Sequence, residues 1–116
     1  MQENFLMSYK VKTTPGFENL AKQIAKKHKG IKKDIETLIG DLEKNPHQGV
    51  DLGGNVYKIR LAISGTNKGK SGGARVITYV LVSNEIVYLA QIYLKSEHDT
   101  VGRDTVIQRL KDSGLI

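Results

Sequence analysis

The chain opens on alternating apolar and polar positions. Met7, Tyr9 and Val11 alternate with serine and lysine, which is typical of a strand with one buried face. Thr14 and Pro15 then favour the start of a helix, because a threonine hydroxyl caps the first free N–H groups and proline lacks an N–H that would be unpaired there. We therefore expect a short strand that leads directly into a helix.

Two helices follow, each with a single apolar stripe. In residues 15–28 the apolar positions recur every three or four residues, at Phe17, Leu20, Ala21, Ile24 and Ala25. We expect this helix to end near Gly30, in the left-handed cap conformation that glycine favours. The same spacing returns in residues 31–44 at Ile31, Ile35, Leu38, Ile39 and Leu42, and Pro46 ends that run. The short connection predicts an antiparallel helical hairpin.

The second half of the chain has the two-residue period of strands. A glycine-rich loop over residues 48–55 precedes a strand over 56–63, and a basic loop over 64–73 separates it from β-branched runs at 74–82 and 86–95. These three strands predict an antiparallel meander. In the first strand one face holds Val56, Lys58, Arg60 and Ala62, and the other holds Tyr57, Ile59, Leu61 and Ile63.

A weaker helical pattern closes the chain. It covers residues 99–113, with Val106, Ile107 and Leu110 as its apolar positions and Gly114 after it. The element order is therefore β-α-α-β-β-β-α. This order predicts an α+β fold in which the helices cover one face of a mostly antiparallel, four-stranded sheet.

Length and composition restrict the function. A chain of 116 residues has the size of one domain, so we expect residues 1–116 to form a single unit. No apolar run approaches the roughly 20 residues that span a bilayer, which predicts a cytoplasmic protein without a membrane partner. With no cysteine and three histidines spread along the chain, we expect no metal site and no cofactor. Catalysis would then depend on charged groups, hydroxyls or imidazole.

Positive charge is concentrated in one part of the sequence. The net charge is +6 and the pI about 9.6, which favours a polyanionic partner such as nucleic acid. Between Asp51 and Glu85 there is no carboxylate, yet this stretch holds Lys58, Arg60, Lys68, Lys70 and Arg75. We expect this segment to be the centre of positive potential.

Several short motifs resemble those of the RelE/HigB toxins, which are the toxin halves of bacterial type II toxin–antitoxin pairs in the RelE/ParE superfamily. In the order typical of that family, the motifs are Thr13-Thr14-Pro15-Gly16-Phe17, Asn45-Pro46 with Gly49 after it, Tyr57-Lys58-Ile59-Arg60, Ser71-Gly72-Gly73-Ala74-Arg75 and Ile92-Tyr93-Leu94-Lys95. The resemblance implies a RelE-like fold. It also implies a toxin that enters the ribosomal decoding site, cleaves the bound mRNA and is neutralised by a cognate antitoxin.

The residues by themselves support this chemistry. RNA is cut when its own 2′-hydroxyl attacks the adjacent phosphorus, which requires a base, an acid and cations at the phosphate but no cofactor. Arg75 is the first candidate, because a guanidinium binds phosphate oxygens bidentately and no carboxylate lies within nine residues of it in sequence. The competing interpretation pairs Arg75 with an acidic group from elsewhere in the fold. Lys58 is a candidate base and Arg60 a candidate phosphate contact, although both also suit a solvated strand face.

Residues near the end of the last strand complete the candidate set. The resemblance implies catalytic or RNA-stacking residues in this neighbourhood, where Tyr93 and Lys95 share one face by alternation. Tyr93 is suited to proton transfer or to stacking on a base, although a tyrosine in a strand is equally often a core residue. His98 ranks third among these. Lys68 and Lys70 are candidate RNA-backbone contacts in a loop that suits plain solvent exposure almost as well.

Two other functions fit the same sequence. A ParE-like toxin of the same fold would inhibit DNA gyrase without a nuclease site, and fold analogy does not separate the two. A non-catalytic nucleic-acid-binding module would need only the net charge. The combination of Lys58, Arg60, Arg75 and Tyr93 favours the nuclease. We also expect the free toxin to be monomeric, because no apolar stripe is left over to form a dimer.

Overall fold

The structure is a computed structural model that describes residues 8–66, 72–97 and 101–116. Within these ranges the chain forms five strands and three helices. In chain order they are β1 (Lys10–Thr13), α1 (Pro15–Ala25), α2 (Ile31–Lys44), β2 (Val50–Gly53), β3 (Val56–Leu61), β4 (Ala74–Leu81), β5 (Ile86–Leu94) and α3 (Arg103–Asp112). None of these helices has the length and apolarity needed to cross a lipid bilayer.

The strands form one mixed sheet in the order β1-β5-β4-β3-β2. β1 runs parallel to β5, and the other neighbouring strands are antiparallel. The α+β class, the helical hairpin and the β3-β4-β5 meander are confirmed. The described residues form five strands where four were predicted, because part of the glycine-rich stretch after α2 pairs with β3 as an edge strand.

The hairpin of α1 and α2 covers one face of the sheet. Its apolar stripes and the facing strand residues form the larger core, whose largest fully buried side chains are Phe17, Ile31, Leu42, Val76, Val80, Val87, Leu89 and Ile92. Burying one such side chain stabilises a fold by about 1.5–3 kcal/mol. This face is therefore the main source of the stability of the fold.

The third helix lies on the opposite face, whereas the sequence predicts all helices on one face. Val106 and Leu110 pack against Val56, Ile77 and Tyr88 in a second, smaller core. The prediction was wrong because the central strands carry apolar residues on both faces. A second apolar face needs a cover of its own.

The first helix begins as predicted but ends earlier. The Oγ1 atom of Thr14 accepts a hydrogen bond from the N–H of Phe17 at 3.1 Å, which is the predicted cap. The helix ends at Ala25, and Gly30 has a φ of −66°, which is right-handed instead of left-handed. Gly30 is required by close packing, because a Cβ atom there would lie 2.4 Å from the carbonyl oxygen of Ser64. The turn between the two helices is thus packed against the chain just after β3.

Candidate active site

The central strands bring the predicted cations onto one face of the sheet. On β3, Lys58 and Arg60 lie on the face opposite the hairpin, because Tyr57 and Ile59 of the same strand pack against the hairpin core. On β4, Arg75 is the register partner of Arg60. The two arginines therefore stand directly opposite each other on neighbouring strands.

A β-bulge in β5 turns Tyr93 onto this same face. The register of β5 with β4 shifts between Leu89 and Gln91, so that Ala90 is an extra residue on β5. Before the bulge the odd-numbered residues of β5 pack in the hairpin core, and after it the even-numbered residues do. A regular strand would have directed Tyr93 into the hairpin core together with Leu89. The bulge therefore decides where this candidate catalytic residue lies.

Arg60, Arg75 and Tyr93 form a row across three strands, which we call the basic row. Lys58 lies in the neighbouring row, two residues from Arg60 along β3. Directly opposed side chains in a sheet have their Cβ atoms about 5 Å apart. The structure thus brings the four residues predicted to be catalytic within reach of one another.

The basic row combines a buried cation with an exposed one. Arg75 is 6% exposed, and its Nη1 atom donates to the carbonyl oxygen of Ala74 at 3.1 Å. Arg60 is exposed, whereas Lys58 and Tyr93 are half-buried. A guanidinium group binds phosphate oxygens bidentately, and the row holds two such groups on neighbouring strands. Such an arrangement suits a phosphate group.

Gly73 fixes the start of the strand that carries Arg75. A Cβ atom on Gly73 would lie 2.2 Å from the carbonyl oxygen of Leu61, so glycine is required where β3 and β4 converge. On the other side, the N–H of Lys95 donates to the carbonyl oxygen of Gly73 at 2.9 Å. The end of the sheet that holds the basic row is therefore closely packed and suited to hold side chains in fixed positions.

Two residues that the sequence did not single out border the basic row. Gln91 lies two residues before Tyr93 and is 7% exposed, and Arg109 of α3 donates from Nη1 to its Oε1 at 3.4 Å. The bulge directs Gln91 to this face, and the packing of α3 brings Arg109 to it. No local pattern in the sequence indicates either residue. Arg109 extends the positive surface from the sheet onto α3.

The last helix leaves one end of the basic row exposed. Its apolar residues lie over Val56, Ile77 and Tyr88, which belong to the two neighbouring cross-strand rows. Arg60, at the end of the sheet, is exposed. A polyanionic strand can therefore contact Arg60 without displacing a helix.

Comparison with known proteins assigns the family. A protein-family model, described as the RelE toxin of the RelE/RelB toxin–antitoxin system, matches residues 16–112. The chain belongs to the RelE toxin family. The RelE match begins in α1, ends in α3 and includes the whole basic row. The protein is therefore a toxin of a toxin–antitoxin system, which implies a cognate antitoxin as its partner. No curated protein matches the chain.

The remaining residues predicted from the sequence lie near the end of the sheet or outside the described residues. Lys95 is exposed and begins the 3-10 turn Lys95–Glu97, just after β5. Lys68, Lys70 and His98 lie outside the described residues. Within residues 8–66, 72–97 and 101–116, no three or more histidine and carboxylate side chains are grouped to hold a metal ion.

Proposed function

We propose that this toxin is a metal-independent endoribonuclease that cleaves messenger RNA on the ribosome. The observation that carries the proposal is the basic row, which places two opposed arginines and a tyrosine on the face of the sheet opposite the hairpin, with Lys58 beside them. A protein that only bound another protein would not need these groups together. Cleavage by the 2′-hydroxyl of RNA needs cations, a base and an acid at one phosphate.

The proposed reaction is an internal phosphoryl transfer. A base removes the proton of the 2′-hydroxyl, whose oxygen forms a bond to the adjacent phosphorus. The bond from phosphorus to the 5′-oxygen of the next nucleotide breaks, and an acid gives that oxygen a proton. The products are a 2′,3′-cyclic phosphate and a 5′-hydroxyl, so no metal ion or cofactor is consumed or required.

Each side chain of the site is assigned a part in this reaction. Arg75 is buried and held by Ala74, so it is suited to stabilise the charge that develops on the phosphate oxygens. Arg60 contacts the phosphate from the solvent side. Lys58 and Tyr93 are the candidates for moving the two protons, and the ring of Tyr93 is also suited to stack on a base.

The flanking residues are assigned to contacts with the substrate. Lys95 is exposed just beyond β5, where it is suited to contact the RNA backbone near the scissile phosphate. Lys68 and Lys70 stay predicted backbone contacts, and His98 stays a predicted catalytic or contact residue. The positive charges of Lys68 and Lys70 support their assignment to backbone contacts.

A translating extract provides the direct test. We expect purified toxin to cut mRNA within translated regions and to leave a 2′,3′-cyclic phosphate or its hydrolysis product. Cleavage should persist with chelators that remove transition metals but spare the magnesium that ribosomes need. Products that end in a plain 3′-hydroxyl would contradict the mechanism. Inhibition of gyrase supercoiling without RNA cleavage would instead support the ParE-like alternative, and RNA binding without either activity would support a non-catalytic module.

The partner proposal concerns the antitoxin. We propose that it places an acidic or amphipathic segment over the basic face of the sheet or against the helices. A groove of about 540 Å³ between α1 and α2, with Phe17 and Ile35 among its apolar residues and Lys22 on its rim, suits the second placement. Co-expression with the neighbouring reading frame should rescue growth and co-purify the two proteins. Failure of both would contradict the proposal.

The proposed toxin acts in the cytoplasm as a single-domain monomer. Among the described residues, the large apolar side chains that stay exposed are Val50 and Val82, which lie on separate elements. Two isolated valines do not form the contiguous apolar patch that a stable dimer needs. Sedimentation of the free toxin at several concentrations should give one species with the mass of a single chain. A concentration-dependent dimer would contradict this part of the proposal.

A further inference from the structure

The turn between α1 and α2 is a second concentration of positive charge. Residues 26–33 contain no carboxylate and hold five lysines, which we call the lysine tip: Lys26, Lys27, Lys29, Lys32 and Lys33. All five are exposed. Because the net charge of the whole chain is +6, one turn carries a charge nearly equal to that of the entire protein.

The lysine tip is fixed against the end of the sheet. Gly30 packs on the carbonyl oxygen of Ser64, which lies three residues beyond the end of β3 at Leu61. Asp34 accepts hydrogen bonds from the backbone N–H of Ser64, at 2.7 Å, and from its hydroxyl group. Asp34 is the carboxylate that follows the lysines in sequence, and both of its carboxylate oxygens accept hydrogen bonds from Ser64.

The tip and the basic row lie at the same end of the sheet. A cavity of about 290 Å³ has His28 of the turn and Gly73, Leu94 and Ser96 of the sheet end among its lining residues. Gly73 is two residues from Arg75, and Leu94 follows Tyr93. The hairpin occupies one face of the sheet and the basic row the other, so the two groups of cations lie on either side of one end of the molecule.

The chemistry of the tip fits RNA phosphate better than protein. Within residues 26–33, Ile31 is buried and His28 is half-buried, so the exposed surface consists mainly of lysine side chains. The centres of protein interfaces are depleted in lysine and enriched in aromatic residues. Lysine ammonium groups bind phosphates as point charges that do not depend on base sequence.

We propose that the lysine tip binds the sugar–phosphate backbone of folded ribosomal RNA beside the message, while the basic row holds the message itself. The inference rests on the proposed function, because it takes the substrate to be ribosome-bound mRNA. Two RNA surfaces at one end of the molecule account for a toxin that recognises its substrate only in that setting. The tip supplies affinity without sequence preference, and the basic row supplies the chemistry.

A pair of matched variants tests the proposal. One carries Lys27→Gln, Lys29→Gln and Lys33→Gln, which spares the two tip lysines that line the groove between the helices. The control carries Lys10→Gln, Lys12→Gln and Lys44→Gln, which removes the same charge from exposed positions elsewhere on the chain. Both are placed in an Arg75→Gln background, so that the message stays intact, and thermal unfolding checks that each variant is folded. Binding to mRNA-programmed 30S subunits is then measured from 50 to 300 mM salt.

We expect the tip variant to bind the subunits at least about tenfold more weakly at physiological salt, and its slope of log affinity against log salt to fall by about 2. The control should keep both the affinity and the slope. Equal losses in the two variants, or no loss in the tip variant, would overturn the proposal. Unchanged subunit binding with loss of antitoxin binding would overturn it in favour of a protein partner.

The wild-type protein and the same lysine variants prepared with Arg75 intact separate this proposal from the proposed nuclease. If the Arg75-containing protein binds subunits through the tip but leaves mRNA intact, the nuclease assignment fails while the RNA-binding tip stands. If mRNA is cleaved at the same rate and with the same salt dependence when the tip lysines are replaced, the tip proposal fails while the nuclease stands.

Discussion

The two faces of the sheet differ in how completely they are covered. On the hairpin face, residues such as Phe17, Leu42 and Leu89 are at most 1% exposed. On the other face, α3 covers only part of the surface and leaves Arg60 exposed at the end. Both faces are formed by β3, β4 and β5, whose successive residues point to opposite sides of the sheet. A fully covered face provides the stability that lets the partly covered face hold charged side chains on a rigid support.

Replacement of Arg75 should have the largest effect on function. We expect Arg75→Gln to slow mRNA cleavage by about a hundredfold to a thousandfold, because one fixed charge partner of the transition state is lost. Arg75→Lys should keep the charge but lose the bidentate contact, and so retain part of the rate. Rates are measured by end mapping at equal concentrations of folded protein. Wild-type cleavage by Arg75→Gln would remove this residue from the mechanism.

Truncations in the two cores should compare the stability of the two faces. We expect Leu42→Ala to lower the free energy of unfolding by about 3 kcal/mol and Leu110→Ala by about 2 kcal/mol. Both leucines are at most 2% exposed, but Leu42 lies in the larger and more completely enclosed core. Denaturant unfolding measures both, and cleavage per folded molecule should stay the same for Leu42→Ala. A larger loss of unfolding free energy for Leu110→Ala than for Leu42→Ala would contradict the conclusion that the hairpin face is the main source of stability.

Substitutions of Tyr93 should separate the contribution of its hydroxyl to proton transfer from the contribution of its ring to base stacking. We expect Tyr93→Phe to lower the rate of cleavage about a hundredfold, because it removes a proton-transferring hydroxyl and keeps the ring. Tyr93→Ala should lose more, since the ring is lost as well. Single-turnover rates on programmed ribosomes measure both. A near wild-type rate for the phenylalanine variant together with a loss in the alanine variant would assign Tyr93 to stacking and leave Lys58 to move the proton.

Thr78, on the face of the sheet that the hairpin covers, allows a test with a smaller expected effect. It is fully buried, and its Oγ1 atom has no hydrogen-bond partner among the described residues. It also lies beside the register shift between β4 and β5. We expect Thr78→Val to raise the free energy of unfolding by about 1 kcal/mol, because the buried hydroxyl is replaced by a methyl group of similar shape. The rate of cleavage should not change. A destabilised Thr78→Val would show that the hydroxyl is hydrogen-bonded in solution.

Local spacing in the sequence was enough to predict the elements and the cations of β3. The apolar stripe from Phe17 to Ala25 predicted α1, and the alternation from Val56 predicted that Lys58 and Arg60 would share a face. Both predictions depend on the period at which side chains return to the same face. This period is two residues in any strand and three to four residues in any helix. The motif order around Arg75 indicated the RelE family, and the family match confirms it.

Contacts between distant residues decided the rest of the site. The extra residue Ala90 moved Tyr93 and Gln91 to the face of the sheet that carries the basic row. The position of α3 brought Arg109 to the same face. The packing of Gly30 on Ser64 put the lysine tip at the same end of the molecule. The sequence by itself therefore determined the helices, every strand except the edge strand β2, and the chemical character of the site. Only the tertiary structure decided which side chains meet, because a register shift and the side on which a helix packs depend on the fit between segments far apart in the chain.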